Sequence, residues 1–363
     1  MPRTVFVYEF LTAGGLLGLP SQPVPEGSLL AEGTAMALAL AEDVAKIPGT
    51  QLVMACDSRL PSFAFSLSDV IGDNGKLQRV RTSEEHDRAI TQLAAAADAT
   101  FVIAPELDGQ LLRIRDMVTA AGGTVIGPSR EVVILASDKN RTAAQLLCHG
   151  LPTPQGMPFR DDWRSLRFPV VVKRVDGAGS ESIRLCDSPA AVEDFVSSLA
   201  GKSIACRIET FCHGTPVSVA LRRGSAGFVT LPTCRQNLSD DGRFTYLGST
   251  VLADESTEVF RRSQRLAARV AESVLAGNDA GRGNFGYVGI DMVIDESTDE
   301  DWVIEINPRL TTSYVGLRHM VEDNLAARMI GQGDGPIRCA TAQDAVRWLP
   351  DGRVWVNDQL QDD

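Results

Sequence analysis

Short apolar runs alternate with stretches of helical pattern over the first third of the chain. The apolar runs predict strands at 5–8, 51–55, 101–104 and 124–126. The stretches between them predict helices at 28–46, 83–97 and 109–121, the first of them capped by Ser28. Because this alternation is typical of a parallel, doubly wound sheet, we expect an α/β domain at residues 1–126.

The pattern changes after Gly127-Pro128, and we expect the chain to be α+β from there on. Two helical segments come first, at 130–136 and 138–148. A compact unit at 127–209 is predicted by strands at 170–173, 182–185 and 203–209 and a helix at 189–199. A larger unit at 210–363 is predicted by strand-rich stretches at 216–233 and 244–252, a helix at 256–276, and strands at 286–294 and 302–307. The tail from about residue 337 predicts a small strand-bearing appendix.

The charge and cysteine content narrow the class of protein. The chain has 363 residues and a formal net charge of −12, so we expect neither nucleic acid nor an anionic membrane surface as a partner. Its seven cysteines are scattered and form no CxxC pair, which argues against a disulfide framework or a zinc site. With no apolar run of transmembrane length and no signal-peptide pattern, we expect a cytoplasmic protein.

Two strands late in the chain carry polar side chains among apolar ones. A period of two places Glu305 and Asn307 on one face and Ile304 in the core. Asp291 lies inside another apolar strand, and the 295–301 loop is long enough to join the two strands in an antiparallel hairpin. Two carboxylates and an amide oxygen suit Mg²⁺ bound with nucleotide phosphates. A solvated sheet face is the alternative, although carboxylates on apolar strands cost free energy unless they have partners.

A buried-type strand ends in Lys173, and the glycine-bearing loop Gly177-Ala178-Gly179-Ser180 follows it. The backbone N–H groups of such a loop are able to cradle phosphate. The order differs from the Walker pattern, in which the lysine follows the glycines and a helix comes next. An ordinary hairpin turn is the alternative.

The segment from Glu209 to Cys212 runs out of a strand into a short linker closed by Gly214. Backbone N–H and C=O groups in such a hinge are able to bind the edge of an adenine ring. A plain interdomain linker is the alternative.

Lys139 stands at a predicted helix start, where Ser137 or Asp138 would be the N-cap. The helix macrodipole disfavours a cation at that end, and a bound phosphate would remove the conflict. An exposed lysine is the alternative.

The order of these motifs resembles the ATP-grasp superfamily over roughly residues 100–330, and the first third fits the parallel-sheet domain that precedes it there. The most specific motif is Asp291 with Glu305-Ile306-Asn307-Pro308-Arg309. The resemblance implies ATP and Mg²⁺ (or Mn²⁺) as cofactors, with metal ligands at Asp291, Glu305 and Asn307. It implies two catalytic residues, Lys173 and Arg309, the second of which steadies the transferred phosphate and the acyl-phosphate. It implies nucleotide contacts at Lys139, Lys173, Gly177, Gly179, Ser180, Glu209, Thr210, Phe211 and Cys212.

The chain departs from the family pattern at three places. No carboxylate follows the hinge at 214–217, where many relatives bind the ribose hydroxyls, so the sequence assigns no ribose contact. Arg174 stands where proline often follows the strand lysine. The loop closes with Glu181-Ser182 where another glycine is common.

The segments 7–15 and 306–314 resemble a narrower subgroup, the tyramine–glutamate ligases of methanofuran biosynthesis. The resemblance implies a ligase that phosphorylates the γ-carboxylate of glutamate, after which the amine of tyramine attacks the acyl-phosphate to give an amide. The implied partners are a small-molecule carboxylate and an amine and, by analogy alone, a second copy of the chain in a homodimer. One alternative is another acceptor, such as an amino acid, bicarbonate or a peptide. The other is a nucleotide-binding regulator without turnover, which need not keep groups for phosphoryl transfer.

The substrate residues form the least specific part of the sequence interpretation. Glu9 ends the first strand, where open α/β sheets present their crevices, and Gly14 and Gly15 permit close backbone approach there. The other candidates lie beside the polar loop or after the metal strand, at Arg235, Tyr246, Thr311, Thr312, Ser313 and Tyr314. A surface loop or ordinary packing is the alternative for each.

Overall fold

A parallel sheet forms the amino-terminal part of the molecule. The structure is a computed structural model, and it describes residues 3–72, 75–177, 179, 182–199, 204–224, 227–252, 254–278, 286–333, 337, 339 and 345–361. The parallel strands, in the spatial order β3-β2-β1-β4-β5, are β1 (Arg3–Glu9), β2 (Thr50–Asp57), β3 (Lys76–Val80), β4 (Ala99–Ile103) and β5 (Val125–Ile126). The helices between them are α1 (Gly27–Ala45), α2 (Pro61–Ile71), α3 (Ser83–Ala96) and α4 (Gln110–Ala120), with short 3₁₀ turns at Gly15–Gly18 and Leu107–Gly109.

The sheet is doubly wound, as the sequence predicts, because alternate residues of β1 enter different cores. Val5 and Val7 pack with α1 and α2, whereas Phe6 and Tyr8 pack with α3 and α4. The sequence analysis missed α2 and β3. The β3 strand is the edge of the sheet, and most of it is only partly buried, so its pattern lacks a strong apolar run.

A small antiparallel sheet follows two helices. The helices are α5 (Arg130–Ala136) and α6 (Lys139–Cys148), close to the predicted bounds. The sheet has the order β6-β9-β7-β8, from β6 (Gly156–Pro158), β7 (Val170–Arg174), β8 (Ile183–Cys186) and β9 (Cys206–Thr210). A 3₁₀ turn (Trp163–Ser165) and α7 (Pro189–Leu199) complete this region, where Trp163, Val170 and Val172 form part of a separate core.

A large antiparallel sheet forms the rest of the described chain. Its strands are β10 (Thr215–Gly224), β11 (Gly227–Thr230), β12 (Cys234–Leu238), β13 (Tyr246–Val251), β14 (Tyr287–Asp295), β15 (Glu300–Asn307), β16 (Val346–Trp348), β17 (Val354–Val356) and β18 (Gln359–Leu360). Their order is β15-β14-β10-β12-β13-β16-β17-β18, and β11 pairs with β10. Helix α8 (Glu258–Val270) continues through a π turn (Ala271–Leu275) into α9 (Ala276–Asn278), and α10 (Ser313–Leu317) and α11 (Leu325–Met329) follow β15.

The carboxyl-terminal tail bears strands, as the sequence predicts, and these strands extend the large sheet. Ser249 of β13 pairs with Trp348 of β16, and Trp348 is buried. Gly316 of α10 packs against the Trp348 ring, where a Cβ atom would approach a ring carbon to 2.0 Å. This close contact explains a glycine in a short helix.

A shared core and a buried ion-pair network join the parallel-sheet region to the large sheet. Asp43 of α1 accepts hydrogen bonds from the Tyr314 hydroxyl at 2.6 Å and from Arg318 Nε at 3.0 Å. Arg318 also pairs with Glu42 at 2.7 Å. These contacts fix α1 against the segment that follows β15, so α1 forms a wall of the cleft described below. The division at 1–126, 127–209 and 210–363 stays a prediction.

Two further expectations from the sequence are that the cysteines form no disulfide framework and that no segment crosses a membrane. The cysteines are free thiols, with Cys56, Cys186, Cys206 and Cys234 buried. Within the described ranges, no helix is both long and apolar enough to cross a membrane.

Candidate active site

The strands β14 and β15 form an antiparallel hairpin that places two carboxylates side by side. Asp291 pairs with Glu305, and on its other side Asp291 pairs with Ser218 of β10. The Asp291 carboxylate accepts hydrogen bonds from Gln236 Nε2 at 3.1 Å and from Asn307 Nδ2 at 3.0 Å. Burial and the neighbouring Glu305 carboxylate raise the pKa of Asp291 to about 6. The surroundings therefore favour the protonated form of Asp291 more than water does.

A bulge in β15 changes the predicted alternation. Asp291 pairs with Glu305 but Met292 pairs with Val303, so Ile304 is an extra residue in its strand. Ile304 therefore lines the cleft instead of packing in the core, and the prediction for it is wrong. Its carbonyl accepts a hydrogen bond from Lys173 Nζ at 3.3 Å.

Lys139 is buried at the start of α6, so the alternative of an exposed lysine is wrong. The Asp138 side chain caps the helix by accepting from the N–H groups of Asn140 and Arg141. Lys139 Nζ donates to the Gly177 carbonyl at 2.6 Å and pairs with Glu305 at 2.7 Å. The ammonium therefore connects the glycine loop to the carboxylate pair.

Lys173 belongs to a buried charged triad. Its ammonium pairs with Glu209 Oε1 at 2.5 Å, and the other Glu209 oxygen accepts from Arg207 Nε at 2.9 Å. The side chains of all three residues are about 5% exposed or less. The Glu209 carboxylate, predicted at the adenine hinge, is thus engaged by two cations of the small sheet.

The glycine loop is described only in part. Gly177 and Gly179 lie in the described residues, and Ser180 lies outside them. Gly179 has a φ of +64°, which favours glycine, and a Cβ atom there would approach Leu29 of α1 to 3.0 Å. The loop thus reaches the parallel-sheet region.

The root of the glycine loop is tied to the parallel-sheet region by an ion-pair cluster. Arg174, the residue that replaces the usual proline, pairs with Asp176 and with Asp108 of the 3₁₀ turn after β4. The Asp108 N–H donates to Asp176 at 2.9 Å.

The predicted hinge borders the same cleft. The Phe211 N–H donates to the Pro169 carbonyl at 3.0 Å, and the Phe211 ring stacks on Phe244 with centroids 6.0 Å apart. The Cys212 N–H has no hydrogen-bond partner among the described residues. Thr210, Phe211 and Cys212 all line the cleft, so this N–H is available to a flat ring held there.

Arg309 follows β15 and is held by the parallel-sheet region. Its Nε donates to the two Glu106 carboxylate oxygens at 3.0 and 3.2 Å, and its Nη1 donates to the Leu310 carbonyl at 3.3 Å. Glu106 is 3% exposed and belongs to the loop after β4. Sequence reasoning missed Glu106 because 203 residues separate it from Arg309.

One open cleft brings most of the predicted residues together. Those that line it are Lys173, Gly179, Glu209, Thr210, Phe211, Cys212, Tyr246, Asp291, Glu305, Asn307, Arg309, Thr311, Thr312 and Ser313. The lining residues to which the sequence analysis gave no role include Glu32, Met36, Ser218 and Gln236. Ser218 of β10 and Gln236 of β12 lie on the same face of the large sheet as Asp291. They do so because alternate residues of a strand share one face.

Several substrate candidates lie elsewhere, which corrects the sequence analysis. Arg235 is exposed and does not line the cleft, because its neighbour Gln236 occupies the cleft face of β12. The Glu9 carboxylate is buried and accepts from the N–H groups of Leu11 and Thr12 in its own loop. A Cβ atom on Gly14 would approach Val80 to 2.8 Å, and one on Gly15 would approach Phe10 to 2.4 Å. Glu9, Gly14 and Gly15 therefore shape the turn after β1. The hydroxyl of Tyr314, another candidate, donates a hydrogen bond to Asp43 of α1.

The residues present fit a divalent cation that is shared with a nucleotide. Among the residues described, no three His, Cys, Asp or Glu side chains form a metal cluster. Asp291 and Glu305 instead supply two carboxylates, and the hydrogen bond from Asn307 Nδ2 leaves the Asn307 amide oxygen for a ligand. Such an oxygen set is typical of Mg²⁺ that completes its shell with substrate phosphates.

Comparisons with known proteins agree with this geometry. Residues 50–133 match the pre ATP-grasp 3 domain, and residues 136–313 match the ATP-grasp domain. The structure is similar to that of an ATP-grasp superfamily protein from Archaeoglobus fulgidus, with a TM-score of 0.66 and 22% identity. The similarity covers 95% of this chain and 92% of the other.

Two sequence relatives match a smaller share of the chain. Tyramine–L-glutamate ligase of Methanocaldococcus fervens is 26% identical over 64% of this chain and 65% of its own length, just under two thirds. D-alanine–D-alanine ligase of Fusobacterium nucleatum is 25% identical over 58% of this chain and 69% of its own. The matched domains, the three sheets and the cleft between them lead to one conclusion: the chain belongs to the ATP-grasp superfamily, with a pre-ATP-grasp domain ahead of an ATP-grasp domain.

Proposed function

We propose that the protein is an ATP- and Mg²⁺-dependent ligase that joins a carboxylate to an amine through an acyl-phosphate. One observation carries the proposal. The carboxylates of Asp291 and Glu305 share a cleft with the cations of Lys173 and Arg309 and with the hinge segment. A phosphoryl donor, a metal and an arginine able to meet the transferred group would thus be assembled in one place.

The nucleotide would lie between the small sheet and the large one. The N–H of Cys212 is available to the adenine edge, and Phe211 and Phe244 border that side of the cleft. Lys173 and Lys139 would contact the phosphates. The contact of Lys139 with both Gly177 and Glu305 supports this, because it places a cation between the glycine loop and a proposed metal ligand.

The metal ligands in the proposal are Asp291, Glu305 and Asn307. When bound, Mg²⁺ supplies positive charge that offsets the phosphates and the two carboxylates. Gln236 and Asn307 hold the Asp291 carboxylate in place by hydrogen bonds to its two oxygens.

The reaction has two displacements. A carboxylate oxygen of the first substrate attacks the γ-phosphorus, the bond to the bridging oxygen breaks, and ADP leaves. The amine nitrogen then attacks the acyl carbon, the phosphate leaves with that carboxylate oxygen, and the nitrogen loses its proton to solvent. Arg309, which lines the same cleft, would meet the charge that develops on the transferred phosphate.

The acceptor end of the cleft favours a cationic amine with an apolar body. Glu32 and Met36 of α1 line the cleft together with Tyr246 and Thr312, and we assign these residues to the acceptor. A carboxylate there would attract an ammonium and repel an anionic acceptor. Since a distant relative is a tyramine–L-glutamate ligase, we place L-glutamate and tyramine first among the substrates.

The test is ADP release with MgATP, with glutamate and tyramine each omitted in turn. We expect release only when both are present, and a Glu305→Ala variant that is folded but inactive. A panel of other amino acids would reveal the second candidate, an amino-acid acceptor, which the D-alanine–D-alanine ligase relative favours. Nucleotide binding without turnover on any pair would indicate a regulator and contradict the proposal.

A further inference from the structure

The Glu106–Arg309 contact joins the pre-ATP-grasp domain to the proposed reaction centre. Glu106 is 3% exposed, and both of its oxygens accept from Arg309 Nε. Nη1 of Arg309 donates to the Leu310 carbonyl. Among the described residues Nη2 has no hydrogen-bond partner, and Arg309 lines the cleft. The protein therefore holds two nitrogens of the guanidinium and leaves the third for a ligand.

Such a contact does more than neutralise a buried charge. A guanidinium is planar, so fixing Nε and Nη1 also fixes the direction of the Nη2 hydrogens. The Arg309 side chain is 12% exposed, and Glu106 reaches it from a different domain. The orientation of Arg309 thus depends on how the pre-ATP-grasp domain sits against the large sheet.

We propose that Glu106 is a positioning residue, which fixes the Arg309 guanidinium so that Nη2 meets the phosphate being transferred. The proposal rests on the proposed function, because it assigns Arg309 to that phosphate. The pre-ATP-grasp domain then completes the reaction centre as well as forming a wall of the substrate cleft.

Steady-state kinetics distinguish positioning from a structural ion pair. Glu106→Gln keeps the side-chain shape but loses the charge and one acceptor. Because a displaced catalytic group costs about 100-fold in rate, we expect kcat to fall by about that factor while the KM for ATP changes less than about twofold. In an Arg309→Lys background, the same substitution should lower kcat by less than about twofold, since Glu106 acts through Arg309.

A matched control comes from the same domain. The Asp116 carboxylate pairs with Arg130 at 3.0 Å on the surface, away from the cleft. Asp116→Asn should keep the wild-type kcat. An equal loss of kcat from Glu106→Gln in both backgrounds, or a fall in Tm with kcat unchanged, would overturn the positioning role.

A spectroscopic measurement keeps this inference separate from the proposed function. The ¹⁵N–¹H resonance of Arg309 Nε, assigned by its loss in Arg309→Lys, needs no substrate. We expect Glu106→Gln to shift it strongly and Asp116→Asn to leave it in place. If the wild type releases no ADP with any substrate pair, the proposed function fails; an Arg309 resonance that Glu106→Gln does not move overturns the positioning.

Discussion

Replacing Asp291 by asparagine should stabilise the protein without metal or nucleotide at neutral pH, although it should abolish activity. Burial and the Glu305 charge raise the pKa of Asp291 to about 6, against about 3.9 for an ordinary aspartate. The folded state therefore binds this proton more tightly than the unfolded state does. As pH rises from about 4 to about 6, the unfolded state loses this proton before the folded state does, and folding becomes less favourable.

The magnitude follows from the size of this shift. About two pKa units correspond to about 3 kcal/mol at pH 7.5, where the carboxylate is ionised in both states, and to about 1 kcal/mol at pH 4.5. Asparagine removes that penalty but loses one acceptor for Asn307 or Gln236, which costs about 1 kcal/mol. The net expectation for Asp291→Asn is a gain of about 2 kcal/mol at pH 7.5 and almost none at pH 4.5.

Urea unfolding in EDTA at the two pH values measures this difference. Asp295→Asn is the matched control, because hydrogen bonds from Ser297 and Thr298 lower the pKa of Asp295 to about 2. That carboxylate stabilises the fold above about pH 4 and loses its effect as pH falls towards 2, so its replacement should destabilise the protein by about the same amount at pH 4.5 and at pH 7.5. An Asp291→Asn variant less stable than wild type at pH 7.5 would refute the electrostatic reasoning.

Three further predictions address other contacts. Glu209→Gln leaves the Lys173 and Arg207 cations buried without a carboxylate, so urea unfolding should show a loss of about 3 kcal/mol, and kinetics a higher KM for ATP. Asp43→Asn removes the charge that holds Arg318, and thermal unfolding should report a loss of about 2 kcal/mol, since Glu42 still pairs with that arginine. Glu32→Gln should raise the KM for the amine about tenfold with the KM for ATP unchanged, and an uncharged acceptor should not respond.

The sequence predicts the parts of the site that depend on local patterns. The hairpin of β14 and β15 follows from carboxylates inside apolar strands with a period of two, and the structure pairs Asp291 with Glu305. The doubly wound sheet and helices α5 and α6 are confirmed for the same reason, because each depends on periodicity within one short segment.

The remaining parts depend on contacts between distant segments. A bulge turns Ile304 into the cleft, and no local pattern marks it. The Glu106–Arg309 pair forms only when the pre-ATP-grasp domain packs against the large sheet. The charge of Arg235 suits an anionic substrate, yet strand alternation directs it away from the cleft and places Gln236 there.

Isotope transfer tests the central claim, carboxylate activation through an acyl-phosphate, most directly. The enzyme would be incubated with MgATP, amine and a substrate whose reacting carboxylate carries ¹⁸O in both oxygens. The account predicts that each phosphate released holds one ¹⁸O atom, because the carboxylate oxygen that attacks phosphorus leaves with it. Amide formed with unlabelled phosphate would contradict the account, because the carboxylate would then have been activated by another route.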